Sequence, residues 1–178
     1  MQFITTQIPG LILIRPKVYS DNRGYFLETF RRDIFQYNVG HIDFMQDNES
    51  RSVYGVLRGL HYQLPPYAQA KLVRVVAGTI LDVAVDIRPK SPTFGRHASA
   101  ELSAENKHQL FIPHGFAHGF IVLSQEAAVA YKVDAPYAPD HERGIRFDDP
   151  VLGIDWKLPK SEIRLSEKDR GLPYFGDR

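Results

Sequence analysis

ILDVAVDI, residues 80–87, alternates two kinds of side chain. Successive side chains of an extended chain point to opposite sides, so Leu81, Val83, Val85 and Ile87 share one face and Ile80, Asp82, Ala84 and Asp86 the other. β-Branched residues recur and neither Gly nor Pro interrupts, so the stretch reads as a strand with one face in a core. The aspartate face admits two readings, a solvent-facing sheet or a polar barrel interior. Solvent is the expectation, because carboxylates seldom lie buried without a partner.

Outward from this strand, residues 11–14, 71–76, 119–123 and 127–133 are similarly short, apolar and bounded by Gly or Pro, which predicts an all-β sandwich or barrel. Helical signals are minor: one amphipathic helix over 28–37 and a short turn over 103–110. With no repeat, low-complexity tract or long linker, the 178 residues read as a single domain spanning 1–178. Twenty-two basic against twenty-one acidic residues leave a net charge of +1, which points to neither nucleic acid nor a membrane surface as partner. Any anionic ligand must then be held by local arginines. The chain has no cysteine, which excludes disulfides, thiolate metal sites and cysteine nucleophiles and makes a cytoplasmic location the expectation. The apolar run 11–14 is too short for a signal-peptide core or a membrane span.

RGLHYQ, residues 58–63, carries an arginine, a histidine and a glutamine in a strand-like run. In a regular strand His61 and Gln63 share a face and Arg58 points away. If Arg58 and His61 serve one pocket, a bulge at Gly59 must break the alternation.

GVLRGLH (55–61) and PHGFAH (113–118) resemble the two short motifs of cupins. Metal-binding cupins continue the first motif with a second histidine and a glutamate. Here those places fall on Gln63 and near Tyr67 or Ala68. Two imidazoles make a poor site for zinc or iron, so the expectation is a cupin scaffold without a metal. His118 also reads as a core histidine bonded to backbone, and His41, His97, His108 and His141 as solvated.

Further stretches carry a closer resemblance: DNRGYFLETF (21–30), QDNESRS (46–52), GVLRGLHYQ (55–63), KLVRVVAGTILDVAVDIR (71–88), IPHGFAHGF (112–120), YKVDAPYAPDHERGIRFDDP (131–150), GIDW (153–156) and LSEKDRGLP (165–173). In this order they resemble the dTDP-4-dehydrorhamnose 3,5-epimerase family over nearly the whole chain. The resemblance implies a cupin-type jelly-roll β-barrel or sandwich with a few short helices, acting on a dTDP-sugar in dTDP-L-rhamnose synthesis without cofactor or metal. It makes His61 the base, Tyr131 the proton donor, Asp169 the partner of His61 and Lys71 the group beside the substrate carbonyl. Arg23, Glu28, Gln46, Asn48, Arg58, His118, Glu142 and Lys168 become substrate contacts, and Phe26 or Tyr25 a platform for thymine. It also implies a homodimer in which residues 23–30 cross toward the partner's pocket. A single-site 3- or 5-epimerase, a 3,4-ketoisomerase and a non-catalytic sugar-binding cupin stay open beside it.

The implied substrate has a ketone at C4, which acidifies the hydrogens at C3 and C5 because either carbanion delocalises onto O4. Inversion needs a base on one face, an acid on the other and positive charge at O4. A histidine backed by a carboxylate, a phenol and a lysine are suitable groups. Each has a structural alternative. Asp169 ends Ser166-Glu167-Lys168-Asp169, which also reads as a helix-start box. Tyr131 alternates with Val129 and Val133, as a half-buried core tyrosine does. Lys71 shares a face with Val73 and Val75, an unusual neighbourhood for a lysine that merely faces water.

Overall fold

The computed structural model describes residues 1–177. Within them, a six-stranded antiparallel sheet runs in the order β1 (Gln2–Thr5), β2 (Ile12–Arg15), β10 (Gln109–Ile112), β7 (Lys71–Ala77), β12 (Glu126–Val133) and β5 (Gln46–Val53). A five-stranded antiparallel sheet has β13 (Glu142–Gly144), β6 (Leu57–Gln63), β11 (Phe116–Val122), β8 (Thr79–Asp86) and β9 (His97–Ser103). The two sheets form a sandwich rather than a closed barrel. The expected all-β architecture is therefore present in its sandwich form, and no described helix is long and apolar enough to cross a membrane.

Strand β8 lies between β11 and β9, and every residue from Ile80 to Ile87 is buried. Ile80 and Ala84 pack with Val73, Val75 and Val129 of the other sheet. Leu81, Val83 and Val85 pack on the opposite side, under Ile145, Phe147, Leu152 and Trp156. This corrects the expectation for the aspartates: Asp82 and Asp86 are both 0% exposed and share the face that looks between the sheets. Alternation distinguishes two faces but not which of them is wet, and here the chain beyond β13 covers the outer one. Burial is tolerated because each carboxylate has a partner. Asp86 accepts hydrogen bonds from Arg88, Ser91 and Thr93 at 2.6–2.7 Å; Asp82 meets His118 at 2.6 Å.

The helix expected over 28–37 forms as α1 (Arg32–Asn38), which buries Phe35 against Ile12, Ile14 and Phe111. The turn of helix expected over 103–110 does not form. Ser103 and Asn106 instead exchange backbone-to-side-chain hydrogen bonds of 3.0 and 2.9 Å, closing the connection from β9 to β10. Such side chains compete with helical backbone bonding. The polar strand β5 escaped the sequence reading because its hydrogen-bonded place beside β12, not apolar composition, makes it a strand. A separate hairpin, β3 (Val18–Asp21) with β4 (Gly24–Leu27), exposes Tyr19, Tyr25 and Phe26.

Candidate active site

Strands β6 and β11 pair His61 with His118 but Arg58 with Phe120, so β6 carries one residue more than its partner over this interval. The expected bulge is present. Gly59 has φ +130°, and a Cβ there would lie 2.5 Å from the Cα of Gly119 and 2.8 Å from the His118 carbonyl oxygen. Only glycine accommodates both the conformation and the approach. The bulge turns Arg58 and His61 toward one cavity of about 510 Å³ between the sheets.

Three parts of the fold supply that cavity. His61 and His118 come from the five-stranded sheet, and Lys71 and Tyr131 from β7 and β12 of the six-stranded sheet. Lys168 and Asp169 come from the short helix α2 (Glu167–Arg170). Sequence separations as large as 108 residues are thereby closed to hydrogen-bond distance.

His61 Nε2 lies 2.6 Å from Asp169 Oδ1. The helix-start reading of Asp169 and its pairing with histidine prove compatible, because different atoms are used. The Asp169 backbone N–H donates to Ser166 Oγ at 3.1 Å, capping α2, while the carboxylate stays free for His61. Burial pushes the Asp169 carboxyl up, but hydrogen bonding to His61, the His61 charge and bonds from Ser166 and Gly59 outweigh it and leave it below its ordinary value. An ionised Asp169 keeps the proton on Nε2 and leaves Nδ1 as the basic nitrogen.

The second pair is more deeply placed. His118 Nε2 meets Asp82 Oδ1 at 2.6 Å, with side chains 9% and 0% exposed. Burial pulls the imidazole below its ordinary value against the pull of Asp82, and the charges of Lys71 and His61 add to the decrease. His118 is bonded to a side chain, not to backbone. The other oxygen of Asp82 is buried without a hydrogen-bond partner among the described residues.

Lys71 is half-buried and has no carboxylate within ion-pair distance among the described residues. Burial lowers its ammonium to about 8, although the charges of Asp82 and Glu142 oppose the shift. Tyr131 packs against the inter-sheet core, and its phenol is raised by burial, with Arg58 opposing. It therefore carries its proton at neutral pH. Arg58 donates from Nε to Ser52 Oγ at 3.0 Å. Glu142 accepts from Lys168 at 2.5 Å and from the Tyr137 hydroxyl at 2.6 Å.

Gln63, at the place of a metal ligand in other cupins, is buried and fully engaged. Its amide donates to the carbonyls of Tyr67 and Pro136 at 2.6 and 3.1 Å and accepts from the Ala138 N–H at 2.8 Å. No three His, Cys, Asp or Glu side chains gather to hold a metal among the described residues.

Other predicted positions lie apart. Arg23 and Phe26 sit on the exposed hairpin, where Arg23 is held by Asp21 at 2.6 Å. Glu28 follows the hairpin, 3.9 Å from Arg31. None of these three lines the His61 cavity. Gln46 and Asn48 are joined by a 2.7 Å hydrogen bond on β5, Asn48 facing Tyr131 in register, but neither is part of the cavity lining. Conversely, Ser50 and Arg164 line the cavity and were not singled out in the sequence. Ser50 shares the inward face of β5 with Asn48, a face that appears only once β5 is known as a strand; Arg164 left no local signal. Of the histidines expected in solvent, His41 is exposed while His97, His108 and His141 are half-buried.

The comparisons with known proteins agree with one another. Residues 5–177 match the family model described as dTDP-4-dehydrorhamnose 3,5-epimerase. A protein of that name from Shigella flexneri is 54% identical over 99% of this chain and 97% of its own length. The crystal structure of the Elizabethkingia anophelis dTDP-4-dehydrorhamnose 3,5-epimerase has a TM-score of 0.95 at 48% identity, covering 100% of this chain and 98% of that one. The dTDP-6-deoxy-D-glucose-3,5-epimerase of Legionella pneumophila, solved with dTDP-4-keto-L-rhamnose, reaches 0.95 at 49% identity, covering 98% and 93%. With a match of this extent in both sequence and fold, the chain belongs to the dTDP-4-dehydrorhamnose 3,5-epimerase family.

Proposed function

We propose that this chain is an isomerase that epimerises dTDP-4-dehydro-6-deoxy-D-glucose at C3 and C5, giving dTDP-4-dehydro-L-rhamnose. The observation that carries the reading is the His61–Asp169 pair at 2.6 Å in a cavity shared with Tyr131 and an ammonium that has no carboxylate partner among the described residues. His61 Nδ1 takes the proton from the carbon beside the ketone. Asp169 stabilises the imidazolium that results. The electron pair moves onto O4, where the Lys71 ammonium meets the developing negative charge. Tyr131, from the opposite sheet, then delivers its phenolic proton to the other face of the carbon and regains one from solvent, while His61 releases its proton to solvent. No electron is gained or lost overall, so this scheme requires no redox cofactor.

The arrangement supports the binding roles of Arg58, His118, Glu142 and Lys168, which surround or adjoin these groups. Arg23, Phe26 and Glu28 reach a substrate only in a homodimer that carries the exposed hairpin to a partner's cavity, with Phe26 or Tyr25 against thymine; Gln46 and Asn48 complete that contact. A single domain working in the cytoplasm, as the lack of cysteine suggests, completes the reading.

The test is incubation with the 4-keto substrate in D2O, with and without EDTA, reading deuterium by NMR. Label at C3 and C5 with inversion, indifferent to chelator, is the expected result. One labelled carbon reduces the chain to a single-site epimerase, and no label removes the reading. In Tyr131→Phe, exchange should persist at one carbon while inversion at C5 is blocked; unchanged product would discredit Tyr131 as the acid.

A further inference from the structure

We infer that Arg164 is a second diphosphate-binding guanidinium, acting beside Arg58; the inference rests on the nucleotide-sugar reading above. The argument begins with charge in the cavity. Asp169 is committed to His61, and Lys168 to Glu142. Lys71, Arg58 and Arg164 remain without a carboxylate in ion-pair distance among the described residues. A ketosugar ring is uncharged and calls for one cation, at its developing oxyanion. Lys71, the most enclosed of the three, meets that need.

Two exposed guanidiniums are then left, and each phosphate of a nucleotide sugar bears one negative charge. The planar fork of arginine suits paired phosphate oxygens.

The backbone holds the two arginines side by side. Arg164 donates its N–H to the Gly55 carbonyl at 2.8 Å and accepts from the Leu57 N–H at 2.9 Å, forming a parallel bridge with Val56. Arg58 directly follows Leu57, two positions beyond the bridge. This approach depends on Gly55, where a Cβ would lie 2.2 Å from the Glu162 carbonyl oxygen. Arg164 is thereby anchored by main-chain bonds that its side chain does not share, which leaves the guanidinium free for a ligand.

The experiment is calorimetric titration of the full chain with dTDP and with thymidine, for wild type, Arg164→Ala, Arg164→Gln, Arg164→Lys and Arg58→Ala, with thermal midpoints as the folding control. Arg164→Ala and Arg164→Gln should each raise the Kd for dTDP about tenfold without changing that for thymidine. KM for the sugar nucleotide should rise while kcat holds, and Arg164→Lys should recover part of the loss. Wild-type dTDP affinity in both Arg164→Ala and Arg164→Gln, with Arg58→Ala weakened, overturns the role of Arg164 and leaves the epimerase reading standing. Weakened dTDP binding in the Arg164 variants of a chain that exchanges no substrate hydrogen supports Arg164 and removes the epimerase reading.

Discussion

Two histidine–aspartate pairs are built on neighbouring strands of one sheet, one completed by the helix α2 and the other by β8, and their contrast underlies the proposed mechanism. His61–Asp169 and His118–Asp82 are equally short, and the two histidines are direct partners across β6 and β11. They differ in their surroundings. The His61 side chain is 27% exposed, and its aspartate sits at a capped helix start with further hydrogen bonds. His118 is more deeply buried, its side chain 9% exposed at the cavity wall, held neutral by burial, beside an aspartate with one oxygen unpartnered among the described residues. A histidine can accept a substrate proton only if its free nitrogen reaches substrate and the resulting cation is supported. In the proposed mechanism the first pair meets both conditions. The second places the charge of Asp82 near Lys71 and, in the proposed mechanism, offers a histidine edge to the substrate.

The largest expected effect separates the pairs outright. His61→Ala should lower turnover by about 10²- to 10⁴-fold with an unchanged circular dichroism spectrum, whereas His118→Ala should act mainly on KM. Equal losses of hydrogen exchange in both variants would break the contrast.

Lys71→Met should cost about 10²- to 10³-fold in rate while raising the thermal midpoint, because it removes an ammonium that burial disfavours. A lower midpoint would show that the ammonium is held favourably after all.

The influence of Asp82 on Lys71 can be read from pH. Lys71 loses its proton as pH rises through about 8, so the rate should fall there. Asp82 raises the Lys71 value, so Asp82→Asn should move this decline to lower pH. An unmoved alkaline limb in the pH–rate profile would show that the second pair does not support Lys71.

The smallest effect concerns the capped aspartate. Ser166→Ala should cost about 1 kcal/mol in denaturant unfolding and reduce kcat modestly by loosening Asp169. Full activity would show that the His61 pair keeps its geometry without the cap.

Much of this was legible in the chain. Strand-forming stretches, the missing cysteines and, given one pocket for Arg58 and His61, the need for a bulge at Gly59 follow from composition and alternation, which are local properties; the place of Gln63 follows from the resemblance to cupin motifs. The groups suited to ketone-assisted proton transfer could also be named, with the help of a resemblance carried by residues 21–173. The expectation that the aspartate face of β8 meets solvent was wrong: that face looks between the sheets, and the other face is covered by residues 145–156, far along the chain.

What the sequence by itself determined is the kind of fold and the stock of reactive side chains. Tertiary structure alone decided that the aspartate face of β8 turns inward, that Asp82 takes His118, that Asp169 both closes a cap and holds His61, and that Arg164 lies beside Arg58. The physical reason is range: strand periodicity and turn chemistry act over a few residues, whereas partnerships spanning 36 and 108 positions exist only once two sheets and a returning C-terminal segment have packed.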